Sequence, residues 1–449
     1  MGPTARVLFG LGLTWLLGLA ASHGFSRSLR PGERTAWALA SGLLLQSILV
    51  LLLAAARLPL RPLSLTAADA LLAIGLALVT RRHRPKPPNP VVETPRAAGV
   101  LPKVLLMGAL LAWLVFLVSA VAEPMWSTDY VAIWGLKGKT IFETGSVPAR
   151  LFDDPALYWA HREYPLLVPL SLAALGFIAG EWDGRALAFL FPAAALATLL
   201  ALSSFLARRH SGTAGAAAAL LTALCFRLYH PVNAGTAEVV FALGAVLAAS
   251  AFLDLCRGQE GTTDAGARVF VAALFCTSVK QEGTLWIALL GTLFFLQDPA
   301  ALRKRGGRRV LAAFALPPAA HWLLLFVLRG PETRRDFDFH FFEPWRWPDL
   351  VPRFAGVCAR IATTEAREAA IPLAAIALFI LLTRRGLADR LWIAFFAQVF
   401  FYCIAFSVSS FDPMYAIEGA FRRIALTLFP TLTLVLCARL PPDRATALR

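Results

Sequence analysis

Apolar residues run along this chain in long blocks, not at the 3.6- or 2-residue period of a half-buried soluble element. Blocks at 7–22, 36–56, 63–79, 101–121, 186–207, 213–229, 237–256, 309–328, 369–383, 391–409 and 424–438 reach or approach the length that crosses a bilayer as a helix, about 20 residues. Two shorter blocks, 268–279 and 284–297, flank Lys280-Gln281-Glu282-Gly283. They predict a helical hairpin or a broken helix, because charge at membrane depth has to face protein or a cavity. The pattern predicts an all-α polytopic membrane protein with about 12–13 transmembrane helices. Arg6 precedes block 7–22 and small residues follow it, as in a signal peptide. The further blocks make it the first helix or a signal anchor.

Segment 165–180 is apolar but short, with Pro165 and Pro169 at its start. The basic stretch 81–103 is expected on the cytoplasmic side, so helix 101–121 leads outward. If 165–180 also crossed, Arg208-Arg209-His210 would lie outside. Read as lying along the membrane, it returns that cluster and every later basic loop to the inside. The inside segments 23–35, 80–103, 207–212, 257–268, 298–309, 384–390 and 439–449 then hold 24 Lys/Arg and 7 Asp/Glu. The outside segments hold 18 Lys/Arg and 19 Asp/Glu, and Asp69, Arg227 and Asp254 fall within spans.

This sorting changes the meaning of the composition. The chain is 58% hydrophobic and 16% charged, against about 45–50% and about 25% in soluble domains. That balance excludes an ordinary soluble enzyme, a disordered chain and a fibrous repeat. The net charge of +15 would suggest nucleic acid in a soluble protein. Here it is an orientation signal, and no nucleic-acid partner is expected. The six cysteines are scattered without a Cys-x-x-Cys pair, so neither a disulfide framework nor a zinc or redox motif is predicted.

One internal boundary stands out, the Pro/Arg-rich linker 81–100 with its Pro-Lys-Pro-Pro-Asn-Pro run. It separates three leading helices (1–80) from a main membrane domain (101–440), and 441–449 form a cytoplasmic tail. No internal repeat is apparent. Two outside loops, 122–185 and 329–368, are long and rich in aromatic and charged residues. Such loops read as ordered structure on the membrane surface.

The first outside loop opens Glu123-Pro124-Met125-Trp126-Ser127-Thr128-Asp129-Tyr130. It continues through Trp134, Lys137 and Lys139, and closes with His161-Arg162-Glu163-Tyr164-Pro165-Leu166-Leu167-Val168-Pro169. Further on come His230-Pro231-Val232-Asn233-Ala234-Gly235-Thr236-Ala237-Glu238, then Ser278-Val279-Lys280-Gln281-Glu282-Gly283. Phe421-Arg422-Arg423 precedes the last block. In this order the motifs resemble polytopic glycosyltransferases of the GT-C fold, a superfamily that includes protein O-mannosyltransferases and the aminoarabinose transferase of lipid A. The resemblance covers roughly residues 100–440.

It implies an inverting transferase at the external face of a bacterial cytoplasmic membrane. Such an enzyme moves a sugar from a polyprenyl-phosphate donor to a hydroxyl on a glycan, lipid or protein acceptor. Asp129 would be the catalytic base, and Lys280, Arg422 and Arg423 would bind the donor phosphate. Glu238, His161, Tyr164 and Glu282 would bind substrate or shape the loops. A divalent cation, Mg²⁺ or Mn²⁺, would sit on Asp129 and Glu238 if one is used. Glu238 stands where the family usually has Asp, and Tyr130 where some members have a second acid.

The residues make chemical sense by themselves. A carboxylate to take the acceptor proton, cations to stabilise a departing phosphate and a cavity to hold both partners are what such a transfer needs. Other readings stand beside these roles. Asp129 also suits a helix cap and Glu238 a first-turn acid. Lys280 and Glu282 suit a structural ion pair, and Arg422-Arg423 suit headgroup contacts. His161 and Tyr164 suit loop fixation. Asp336, Asp338 and His340 alternate with phenylalanines, which fits an amphipathic surface strand as well as a metal site. The competing functions are a transporter or flippase, a polymerase or ligase of lipid-linked surface glycans, and an inactive scaffold of the same fold.

Overall fold

The computed structural model describes residues 1–82, 99–148, 151, 161, 164–225, 229–230, 233–257, 262–297, 299, 305–329, 342–366, 390–409, 412, 417 and 427–438. Among them the architecture is all helical, with no strand. In chain order the helices are α1 (Pro3–Ser26), α2 (Pro31–Ala55), α3 (Pro62–Arg82), α4 (Val100–Ala122), α5 (Gly135–Thr144), α6 (Leu167–Ala179) and α7 (Gly184–Leu187). They continue with α8 (Leu190–Arg209), α9 (Gly212–Ala223), α10 (Ala237–Arg257), α11 (Thr262–Val279) and α12 (Glu282–Gln297). The last are α13 (Arg305–Arg329), α14 (Trp347–Ala366), α15 (Arg390–Ser407) and α16 (Phe429–Cys437).

Seven segments are long and apolar enough to cross a bilayer: α1 to α4, α7 with α8, α10 and α13. Shorter apolar helices accompany them, including α6, α9, α12 and most of α15. The polytopic class therefore holds. Block 213–229 forms only the twelve residues of α9, which at 1.5 Å per residue is about 18 Å and too short to cross alone. Block 369–383 lies outside the described residues.

The fold is organised around α10. Every residue from Ala237 to Leu255 is buried, as expected of a helix that is apolar all round. It packs on α8, α11 and α12. Its charged residues are confined to its two ends, Glu238 at one and Asp254 and Arg257 at the other. About 24 Å of helix separates the two carboxylate-bearing turns.

Helices α1 and α2 cross with their backbones in contact. A β-carbon on Gly18 would stand 1.7 Å from the Ala38 carbonyl oxygen, and one on Gly42 would stand 1.9 Å from that of Thr14. Small residues at a crossing are the usual way to bring membrane helices this close. The contact also carries a polar chain: Thr14 Oγ1 donates to Gln46 Oε1 at 3.0 Å, and Gln46 Nε2 donates to Asp69 Oδ2 of α3 at 2.8 Å. Gly42→Val is therefore expected to lower stability by about 1–3 kcal/mol through overpacking. Gly12→Ala, where nothing lies within 4 Å, should leave it unchanged. Thermal unfolding of the detergent-purified protein measures both; equal midpoints would remove the close crossing.

The leading helices are built into the core. Helix α2 packs on α8 and α6, and α1 on α6. Segment 165–180 departs from its expected place on the surface. Helix α6 is buried along its whole length, from Leu167 to Ala179, between α1, α2, α3 and α5. Each of its ends is held by a contact. Arg6, at the start of α1, donates to the Ala179 carbonyl at 2.6 Å. At the other end Tyr164 stacks on Trp134 of the loop after α4. A helix of 13 residues with Ser171 as its only polar side chain is too short to cross but too hydrophobic to lie in water. Burial under the loop satisfies both constraints.

Candidate functional site

Two charged clusters occupy opposite ends of α10. The first contains residues of the loops expected outside. After α4 the chain turns at Pro124 and re-enters helix near Thr128. Ser127 caps that turn, with its Oγ accepting from the Tyr130 N–H at 3.2 Å. Asp129 makes no side-chain cap bond there, so the capping reading of the Ser-Thr-Asp sequence belongs to Ser127. Asp129 is half-buried. The helix then runs as a π-helix over Tyr130–Trp134, an irregularity frequent at functional sites, before continuing as α5.

Tyr130 is the hinge of the arrangement. A β-carbon on Gly135 would lie 2.5 Å from its ring, and one on Gly235 would lie 2.8 Å from its Cβ. Gly235 also adopts φ +96°, a conformation that favours glycine. The two glycines let the first outside loop and the turn before α10 touch at backbone distance. The residue after Asp129 thus packs three residues from Glu238. Burial and the Asp183 carboxylate push the Tyr130 phenol up from its ordinary range, against a hydrogen bond with Trp182, so it stays protonated.

Glu238 sits in the first turn of α10 and is 1% exposed. The positive end of the helix favours an acid there. Lys280 Nζ donates to Glu238 Oε1 at 3.1 Å and lies 3.2 Å from Glu282 Oε1. Lys280 occupies the break between α11 and α12. That break is tight because a β-carbon on Gly283 would stand 2.1 Å from the Cys276 carbonyl oxygen. Lys280 is therefore a bridge between two carboxylates, as its ion-pair reading has it. Buried Tyr402 on α15 feels the charge of both Glu282 and Glu238, and its hydroxyl accepts from Gln398 Nε2 at 2.6 Å.

His161 and Tyr164 form part of a three-ring stack. The His161 and Tyr164 rings lie 4.6 Å apart at 17°, and Tyr164 and Trp134 lie 5.5 Å apart at 28°. Lys137, fully buried, ties the stack down: its Nζ donates to the His161 carbonyl at 2.7 Å and to that of Tyr164 at 3.4 Å. His161 is held at φ +46°, strained for a non-glycine residue. This geometry fixes the loop. Arg422 and Arg423, like Asp336, Asp338 and His340, lie outside the described residues.

The second cluster lies at the far end of α10. Arg208 forks onto Glu33, with Nε to Oε2 at 2.9 Å and Nη2 to Oε1 at 2.7 Å, and Nη2 also reaches Asp254 Oδ2 at 2.9 Å. Arg209 Nε donates to Asp254 Oδ1 at 2.8 Å. Arg268, 1% exposed, lies 3.5 Å from Asp254 and donates to the Phe25 carbonyl at 2.9 Å. These residues come from α2, α8, α10 and α11, each at the end expected inside. Asp254 was visible as a charge within a span, but its partners were not. The contributions of Tyr402, Gln398 and Lys137 were also missed, because a buried polar partner on a distant helix leaves no local pattern.

No family model, curated protein or solved structure matches this chain.

Proposed function

We propose that this protein is an integral-membrane glycosyltransferase of the GT-C type. It transfers a sugar from a polyprenyl-phosphate donor to an acceptor hydroxyl at the external face of the cytoplasmic membrane. The observation that carries the reading is the packing of Tyr130 on Gly235. It brings the Asp129 segment beside the Glu238–Lys280–Glu282 cluster at one end of the bundle, while the basic cluster gathers at the other.

In this reading Asp129 accepts the acceptor O–H proton as the acceptor oxygen bonds to the anomeric carbon. The bond from that carbon to the lipid-phosphate oxygen breaks with its electron pair leaving on the phosphate, and attack from the opposite face inverts the centre. Arg422 and Arg423 would meet the departing phosphate. Lys280, shared between Glu238 and Glu282, would hold Glu238 in place and lend its charge to the departing phosphate. Tyr164 and His161 keep the loop in register over the site.

The test offers the purified, reconstituted protein a polyprenyl-phosphate sugar with a labelled sugar group and follows two products. Labelled acceptor is expected. Movement of the donor lipid across the vesicle without transfer would replace this reading with a flippase.

A further inference from the structure

Helix α3 meets the bundle along one narrow line. Of residues 62–80 only Leu65 and Asp69 are buried, four positions apart on one face. Asp69 stands about 10 Å into this apolar helix, where an acid is costly unless paired. Its hydrogen bond is with the Gln46 amide at 2.8 Å, Oδ1 is buried without a partner, and no cation pairs with it among the described residues. The elements packed on α3 are α1, α2 and α6, and their charges lie at helix ends. Arg6 of α1 sits beside Gly180 with Pro62, the first residue of α3, and donates to the Met1 and Ala179 carbonyls. His23 ends α1, Glu33 and Arg34 begin α2, and α6 has no titratable side chain. Each of these groups is about 12 Å or more of helix from the level of Thr14 and Gln46. Arg57 and Arg61, in the turn before α3, are exposed. Arg81 and Arg82 follow Asp69 by more than three turns of α3 itself.

The hydrogen bonds of this chain ask for one more proton. In the amide orientation described above, the Thr14 hydroxyl has two acceptors, the Gly10 carbonyl oxygen at 2.9 Å and Gln46 Oε1 at 3.0 Å. One hydroxyl hydrogen does not serve both. The two ends of a primary amide have the same shape, so turning the Gln46 amide over keeps every distance. Its nitrogen then donates to Thr14 Oγ1, and Thr14 keeps its hydrogen for Gly10. The amide oxygen now faces Asp69 Oδ2, a contact of two acceptors unless the carboxyl carries a hydrogen. With that hydrogen, three donors meet three acceptors and no charge is buried. We propose that Asp69 is protonated in the folded protein and donates to Gln46, making Thr14, Gln46 and Asp69 a proton-held latch that fastens α3 to α1 and α2. Loss of the proton leaves an uncompensated carboxylate on the one buried face of α3 and releases the helix. A carboxyl in water gives up its proton near about pH 4. Above that pH the folded state holds one proton more than the unfolded state, so stability falls as pH rises until the latch itself deprotonates. The latch is independent of the proposed transferase chemistry.

The experiment records infrared spectra of the full-length protein in detergent near neutral pH and subtracts those of Asp69→Asn. The difference is expected to contain the C=O band of a protonated carboxyl, on the high-frequency side of the amide band. Gln46→Leu removes the acceptor and should move that band to higher frequency, a second reading that does not need Asp69→Asn to fold. Asparagine offers an N–H in the same place, so the thermal unfolding midpoint of Asp69→Asn should match that of the unaltered protein near neutral pH. Raising the pH until the band disappears should lower the midpoint of the unaltered protein by several degrees more than that of Asp69→Asn. The proposal is overturned if neither variant changes a carboxyl band near neutral pH, or if the two midpoints fall together as the pH rises.

Discussion

Asp129→Asn is expected to reduce sugar transfer by about 10²–10⁴-fold, the usual contribution of a positioned general base, while the protein still folds and still binds donor. Asparagine keeps the shape of the side chain and loses the proton acceptor. The packing of Tyr130 on Gly235 and the Ser127 cap do not involve the Asp129 carboxylate. Ser127→Ala separates the two readings of this turn. It removes the cap, at a cost of about 1 kcal/mol, and should lower stability more than it lowers the chemical step. Single-turnover transfer at saturating donor, measured beside the unfolding midpoint, gives both quantities. Transfer by Asp129→Asn within a few fold of the unaltered protein would remove Asp129 as the base.

Much of the fold was legible because membrane helices are written in uninterrupted apolar runs. The blocks at 7–22, 36–56, 63–79, 101–121, 186–207, 237–256 and 309–328 each appear as a helix within a few residues of the expected bounds. The break at 280–281 was also readable, since charges in mid-block have to leave the helix or pair. What could not be read was depth. Segment 165–180 looked like a surface helix because prolines and length argued against a span. Neither feature tells whether such a helix lies on the bilayer or beneath a loop.

Pairing was equally hidden. Lys280 and Glu238 are 42 residues apart, and nothing local to either announces the other. The acid at 129 and the serine at 127 both suit a cap, and only geometry assigns it. The positive-inside count treated Arg208 and Arg268 as loop charges, yet they are 8% and 1% exposed. Part of the charge asymmetry that reads as an orientation signal is thus engaged in holding helices together.

That dual use leads to the largest expected effect on stability. Arg208→Met should destabilise the folded protein by about 3–5 kcal/mol, the cost of breaking a buried ion pair from one side. Glu33 would lose its bidentate partner while 3% exposed, leaving a buried carboxylate without its guanidinium. Asp254 would lose less, because Arg209 and Arg268 remain on it. Arg208→Lys keeps the charge but not the fork, and should fall between the two. The discriminating variant is the double substitution Arg208→Met with Glu33→Gln. Removing both partners removes the orphaned charge, so the double variant should be more stable than Arg208→Met alone, a non-additivity expected only of residues in direct contact. Protease-accessibility mapping of an introduced tag in the linker between α3 and α4 separates this from orientation. If Arg208 acts mainly as a topological signal, the single variant inverts or mixes the sidedness of that tag and the second substitution does not restore it. If it acts mainly as the tie between α2, α8 and α10, the tag keeps the side it has in the unaltered protein and only the unfolding midpoint moves. The depth of Arg208 and its fork onto Glu33 favour the second outcome.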